Sequence, residues 1–175
     1  MRFIAVPSPV GELTIAASDA GLTAIYFERH KYGHSPDERR GWTPDGGGAN
    51  PASRVLARAR AQLTAYFDGQ LRKFDLPLDP TGSEFQHQVW AQLRRIPFGT
   101  TTSYGELARR IGDPGKARAV GAANGRNPIS IVVPCHRVIG ADGSLTGFGG
   151  GIERKRWLLA HEQRVLGAES ALGAV

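Results

Sequence analysis

One cysteine, Cys135, and one methionine are all the sulfur this sequence contains. No intramolecular disulfide can form, and zinc sites built from several cysteines are excluded. Long hydrophobic runs are also missing, since nothing approaches the roughly 20 consecutive apolar residues that cross a bilayer. The opening Met1-Arg2-Phe3-Ile4-Ala5-Val6 is broken by Pro7 and Pro9 before it reaches the length of a signal-peptide core. The chain is therefore expected inside the cell, in the cytoplasm and away from membranes. Acidic residues are in the minority, 16 against 22 Lys and Arg, for a net charge of +6. The imbalance is local, with a net of +1 over residues 1–80 and +5 over residues 81–175. A basic second half suits a polyanionic partner such as nucleic acid, although an ordinary solvated face would read the same way.

What is present fits a soluble chain with a real core. Apolar residues make up 41% of 175 residues, enough for one domain or two small lobes. The first lobe, 1–79, opens with strand signals. Phe3-Ile4-Ala5-Val6 leads to a turn at Pro9-Val10-Gly11, and Leu13, Ile15 and Ala17 then alternate with polar or small residues. After Asp19-Ala20-Gly21, Leu22–Phe27 predicts a third strand and an antiparallel meander. Residues 30–52, polar and rich in Gly and Pro, predict a long exposed loop. Ser53 is a candidate cap for a helix to Phe67, with Val55, Ala59, Leu63 and Phe67 on its apolar face. Alternation at Phe74, Leu76 and Leu78 predicts one more strand before a boundary near Asp79-Pro80-Thr81-Gly82.

The second lobe, 80–175, reads as mainly helical. Ser83 is placed to cap a helix burying Phe85, Val89, Trp90 and Leu93. Ser103-Tyr104-Gly105-Glu106 has the form of a capping box, opening a helix that buries Leu107 and Ile111. A tight turn at Gly112–Gly115 leads into a second helix, Lys116 to Ala123, with Asn124-Gly125 as a left-handed stop. Two short helices joined this way form either a helix-turn-helix or an ordinary helical corner. The second helix is nearly all Ala and Gly, with Arg118 its longest projecting side chain. Such a helix suits close approach to a backbone or a minor groove better than reading major-groove edges.

Cys135 follows an apolar run, Ile129–Val133, read as a buried strand, and a proline. A lone cysteine is either a small buried hydrophobe or a nucleophile. A nucleophile must be a thiolate, and with an ordinary pKa near ~8.5 it needs a base. His136 is adjacent, but neighbours on an extended chain point to opposite faces, so a bridging water or a bend is required. An imidazole base also needs an acid to fix its tautomer, and Glu162, on a helix read as Arg154–Gln163, is the candidate. His161 lies about 100° around that helix and is read as structural or solvated. His30, His34 and His87 have no supporting pattern.

Residues 127–138, NPISIVVPCHRV, resemble the signature of the O6-alkylguanine-DNA alkyltransferases, the methylated-DNA–protein-cysteine S-methyltransferases. SYGELA at 103–108, ARAVGAANGRNP at 117–128 and GGGIERKRWLLAHE at 149–162 follow in family order, so the resemblance is strong over 83–162 and weaker before it. It implies an α/β (α+β) fold, with a ribonuclease-H-like antiparallel-sheet lobe followed by a helical lobe carrying a helix-turn-helix. It also implies DNA repair by direct reversal. Cys135 would accept the alkyl group from O6-alkylguanine, and from O4-alkylthymine, in a single irreversible turnover. His136, through a water, and Glu162 would relay its proton, Asn127 would brace the turn, and Tyr104 would hydrogen-bond the flipped base. Arg118 would enter the duplex from the minor groove, with Ser103, Tyr104, Ala117, Ala119 and Gly121 along the DNA. Val138, Phe148 and Gly149 would form the base pocket. The implied partner is double-stranded DNA bound by a monomer, with cooperativity along DNA left open. No cofactor or metal is implied, because the first-lobe zinc ligands of some relatives are absent. Gly149 stands where some relatives carry serine, which bears on pocket size.

The chemistry agrees with this resemblance. A lesion on O6 lies inside the stacked duplex, so the base must be extruded. Attack at an alkyl carbon favours a soft thiolate, and a thioether has no low-barrier route back. Three other readings remain: a damage-flagging module of the same fold, which Cys135 argues against, a helix-turn-helix regulator in which Cys135 is mere packing, and, remotest, a cysteine hydrolase, for whose substrate pocket and oxyanion-hole donors the sequence shows no pattern.

Overall fold

The computed structural model describes residues 1–33 and 39–173, and His34 lies outside them. The chain divides into two compact units, residues 1–82 with 128–132, and residues 83–127 with 133–175.

In the first unit β1 (Arg2–Val6), β2 (Leu13–Ala17) and β3 (Leu22–Phe27) form the expected antiparallel meander. A short fourth strand, β4 (Thr43–Pro44), pairs in parallel with β1, giving the order β3-β2-β1-β4. The predicted 30–52 loop is thus corrected in its described part. Residues 34–38 lie outside the description, but 43–44 are strand and Trp42 packs with Phe3 on the cluster of Ala16, Ala24 and Tyr26. Alternation along β2 puts Leu13 and Ile15 on the opposite face from Ala16. Helix α1 (Pro51–Phe67) packs on β1, β2 and β3 and buries Val55, Leu56, Ala59, Leu63 and Tyr66.

The cap of α1 lies three residues before the predicted one. Asn50 caps it through a bond from the Ser53 N–H (2.9 Å), with Pro51 at the first helical position. Asn caps as well as Ser, and proline's missing N–H is no loss there. Ser53 is inside the helix, its hydroxyl on Asp45. The predicted strand at 74–78 shrinks to one bridge, Leu78 to Leu22. Pro77 has no N–H to donate to a ladder, and only its carbonyl bonds, to the Leu22 N–H.

In the second unit α2 (Glu84–Leu93) carries a complete capping box between Ser83 and Gln86. It buries Val89, Trp90 and Leu93 and leaves Phe85 only half-buried. α3 (Tyr104–Ile111) is capped by Ser103, but Glu106 does not reach back; its carboxylate pairs with Arg109 and Arg110. The expected box is therefore half made, because two guanidiniums on the next turn compete for the acid. After Gly112 (φ 94°) and a 3-10 turn at Pro114–Lys116, α4 (Ala117–Gly125) completes the helix-turn-helix. α4 runs through Asn124 and Gly125 with no left-handed stop, and Arg126 ends it in an ordinary conformation. The Trp90 indole N–H bonds the Ala123 carbonyl (2.9 Å), tying α2 to α4. α5 (Ile152–Gly173) starts earlier and ends later than predicted, since its Ala-containing tail continues the helix. No helix among the described residues is long and apolar enough to cross a membrane.

Candidate active site

The run before the cysteine is not a strand. Ile129 makes a single bridge to Ile25, Val132 N–H bonds the Ser130 carbonyl, and Ile131 takes a left-handed φ of 73°. A β-branched residue there is strained, at a cost of about 1–3 kcal/mol. Pro128 and Pro134 withhold the donors a ladder would need. Cys135–Arg137 is a 3-10 turn, so the bend foreseen as one alternative replaces the extended geometry. Two asparagines hold the turn. Asn127 Nδ2 bonds the Val133 carbonyl (2.8 Å), and Asn124 Nδ2 reaches the Cys135 carbonyl (3.5 Å).

His136 and Glu162 come together as expected. Both are fully buried, and His136 Nε2 lies 2.7 Å from Glu162 Oε2. Arg137 completes the cluster, donating from Nε to Oε1 (2.8 Å) and from Nη2 to Oε2 (3.1 Å), while Nη1 binds the Ile96 carbonyl. The Gly99 N–H donates to Oε1 at 2.9 Å. Burial alone would raise the Glu162 carboxyl, but the His136 hydrogen bond, and then Arg137, hold it well below the usual carboxylate range. Burial, only partly opposed by Glu162, pushes His136 below its ordinary value. The imidazole is therefore neutral. With an ionised acceptor at Nε2, the proton sits on that nitrogen, and Nδ1 is a buried acceptor with no hydrogen-bond partner among the described residues. Burial also pushes the Cys135 thiol up, opposed by a hydrogen bond from Asn127, by the charge of Lys155 and by backbone N–H groups.

Tyr104, the first residue of α3, donates its hydroxyl to the Thr146 carbonyl (3.0 Å). Its phenol is pushed up by burial, and the Cys135 charge also raises it, so the two groups share one neighbourhood. The parallel pairing of β5 (Thr102–Ser103) with β6 (Val138–Ile139) brings the start of α3 beside the segment after Cys135. Gly121 of α4 faces the Tyr104 ring, where an added Cβ would stand 3.7 Å away. At Gly147 (φ 64°) a Cβ would stand 3.2 Å from the Tyr104 hydroxyl. Val138 and Phe148 are buried and Gly149 half-buried. Along α4, Arg118 and Ala119 are exposed, Ala117 and Gly121 half-buried, and Ser103 sits at the preceding helix start. His161 is buried and stacks on Trp157 (5.0 Å, 13°), the structural role foreseen as one option.

Sequence reasoning passed over Arg137 and Lys155. Lys155 is one of the largest fully buried side chains. Counting back seven residues from Glu162 on α5 reaches it, so once Glu162 faces inward the helical period points to Lys155 as well.

An α/β unit followed by a helix-turn-helix unit that buries a Cys-His-Glu constellation defines the class of protein. Residues 1–80 match the family model described as the ribonuclease-like domain of 6-O-methylguanine DNA methyltransferase, and residues 84–164 match the DNA-binding domain of the same family. A methylated-DNA–protein-cysteine methyltransferase of Mycolicibacterium paratuberculosis is 54% identical over 164 residues, covering 94% of this chain and 93% of the relative. One from Methanosarcina acetivorans is 44% identical, covering 93% and 98%. The Mycobacterium tuberculosis OGT solved in complex with DNA is 49% identical, with a TM-score of 0.85 over 94% of each chain. The chain belongs to the 6-O-methylguanine DNA methyltransferase family.

Proposed function

We propose that this protein repairs duplex DNA by moving the alkyl group of O6-alkylguanine, and of O4-alkylthymine, onto Cys135. The observation that carries the reading is the free, buried Nδ1 of His136, whose other nitrogen is fixed by Glu162, in the turn that begins with Cys135. That nitrogen takes the thiol proton through a water, and Glu162 stabilises the imidazolium. The thiolate attacks the alkyl carbon, a carbon–sulfur bond forms, and the carbon–O6 bond breaks with its electron pair leaving on guanine. Tyr104 releases the Thr146 carbonyl and donates a hydrogen bond to the leaving guanine, which takes its proton from solvent. Its raised pKa keeps the phenol protonated as that donor. The transfer consumes no cofactor, and the thioether makes the turnover single.

The lesion is reached by base flipping. Val138, Phe148 and Gly149 line the pocket for the flipped base, and Asn127 braces the turn. Arg118 fills the gap in the duplex, while Ser103, Ala117, Ala119 and Gly121 let the helices approach the backbone from the minor groove. The partner is double-stranded DNA carrying the lesion, bound by a monomer in the cytoplasm. The names of the relatives, methylated-DNA–protein-cysteine methyltransferases, support this reading.

Nucleoside analysis of a duplex with one O6-methylguanine, titrated with protein, tests it. The expected result is one guanine restored per protein molecule and then a plateau. Continued repair beyond that ratio would contradict single turnover.

A further inference from the structure

The turn between α2 and β5 also reaches Glu162. The Thr100 N–H and hydroxyl both bond the Pro97 carbonyl (3.1 and 2.8 Å), closing a turn whose third residue, Gly99, has φ 75°. Glycine takes that conformation without strain. α5 holds both backbone polar groups of Gly99. Glu162 Oε1 accepts from its N–H (2.9 Å), and Gln163 Nε2 donates to its carbonyl (2.7 Å). Leu166 lies one helical turn after Glu162 on the same face, and a Cβ at residue 99 would overlap its Cδ1. Glycine is thus demanded twice, by the left-handed φ and by the approach of α5. The same turn holds Arg137, whose Nη1 bonds the Ile96 carbonyl (2.7 Å) and whose guanidinium lies over the Phe98 ring (5.6 Å). Arg137 and His136 reach Glu162 with side chains, whereas Gly99 reaches it with the main chain. That donor has no rotamer to lose and no charge to titrate.

We propose that Gly99 is a positioning residue for the proton relay: its N–H and its lack of a side chain fix Glu162 where the carboxylate keeps His136 Nε2 protonated and Nδ1 open to the thiol. The proposal rests on Cys135 being the acceptor and His136 its base, and adds the main-chain part of that relay. Glu162 stabilises the imidazolium formed when Nδ1 takes the thiol proton, so a slackened Glu162 makes that step harder. At high pH hydroxide takes the thiol proton directly and the relay is bypassed. A defect at Gly99 is therefore largest at low pH and fades as pH rises. The titratable and charged groups around the relay are Cys135, His136 and Arg137 of the 3-10 turn, Lys155 of α5, whose charge is felt at His136, and Tyr104 of α3, which shares the thiol's neighbourhood.

The test removes the N–H without adding bulk, by building glycolate in place of Gly99 so that the Phe98–Gly99 amide becomes an ester. Methyl transfer from an O6-methylguanine duplex is followed at several pH values, and nitrogen-15 NMR reads the His136 ring without DNA. Transfer by the ester protein should be about tenfold slower at neutral pH, the loss of one hydrogen bond to a charged group, and should approach the wild-type rate as pH rises. The His136 ring should show the Nδ1-protonated tautomer beside the Nε2 form. Gly99→Ala should carry the same pH signature with a lower urea midpoint. An ester protein with the wild-type pH profile and ring signals would overturn the proposal. Transfer slowed equally at every pH would also overturn it, since a merely structural turn gives that result. Should Gly99→Ala fail to fold, the ester protein still decides, because it keeps the glycine's backbone freedom and its room. Absence of methyl on wild-type Cys135 would sink the functional reading instead, while the ring signals would still report whether Gly99 orients Glu162 against His136.

Discussion

Glu162 is the residue on which most of the buried polar cluster converges. It accepts from His136, from two nitrogens of Arg137 and from the Gly99 N–H. Replacing it with glutamine leaves Arg137 buried without its counter-charge and removes the anion that fixes the imidazole tautomer. Glu162→Gln should cost about 3–5 kcal/mol in urea unfolding. Single-turnover transfer should slow by roughly 10²–10⁴. A stable variant of normal rate would remove Glu162 from the mechanism. Arg118 is the opposite case, exposed on α4 and engaged in no ion pair among the described residues. Arg118→Ala should leave stability within about 0.5 kcal/mol. It should weaken duplex binding and slow repair, and the salt dependence of binding should lessen by about one ion if Arg118 neutralises a phosphate. At this scale the sequence was legible where a motif marked the residues, since His136 and Glu162 meet as expected in the cluster beside Cys135. It was opaque where a charge is ordinary in sequence and exceptional only in its burial. Nothing within Glu153-Arg154-Lys155-Arg156 itself marks which cation turns inward, and only the helical spacing from Glu162 does so.

Among the elements, the helices α1 and α3 are held by modest local devices. Ser103 caps α3 through the Glu106 N–H (3.1 Å), and Asn50 caps α1 through the Ser53 N–H (2.9 Å). Each alanine replacement should lower stability by about 1 kcal/mol in thermal or urea unfolding. Only Ser103→Ala should also weaken DNA binding, because α3 begins with Tyr104 and adjoins the Arg118 helix. Equal binding defects in both variants would show a general loss of stability. Helices and the meander were readable from period and turn residues. The elements misread were those decided by proline and by tertiary contact. Pro77 reduced a strand to one bridge, Pro128 and Pro134 turned an apolar run into turns, and backbone bonds from the Arg126 N–H to the Ala122 and Ala123 carbonyls carry α4 past its expected stop.

For the whole molecule, the buried polar cluster links stability to pH. His136 is held below its ordinary value chiefly by burial. Below about pH 6.5 the unfolded chain therefore binds a proton that the folded protein refuses, and stability falls as pH drops. Glu162, held low, adds stability above about pH 4.3 that is lost as pH falls through its folded value. The urea midpoint should decline from pH 7.5 to 5.5, and a flat or rising midpoint would contradict a neutral buried His136. The central claim is that Cys135 is the alkyl acceptor. Mass spectrometry of the protein after incubation with an O6-methylguanine duplex tests it most directly, read on the intact chain and on the peptide containing Cys135. The account predicts a gain of one methyl, located on Cys135 and absent from Cys135→Ala. An unmodified wild-type protein that still prefers the lesion would contradict it and make the chain a damage-binding module.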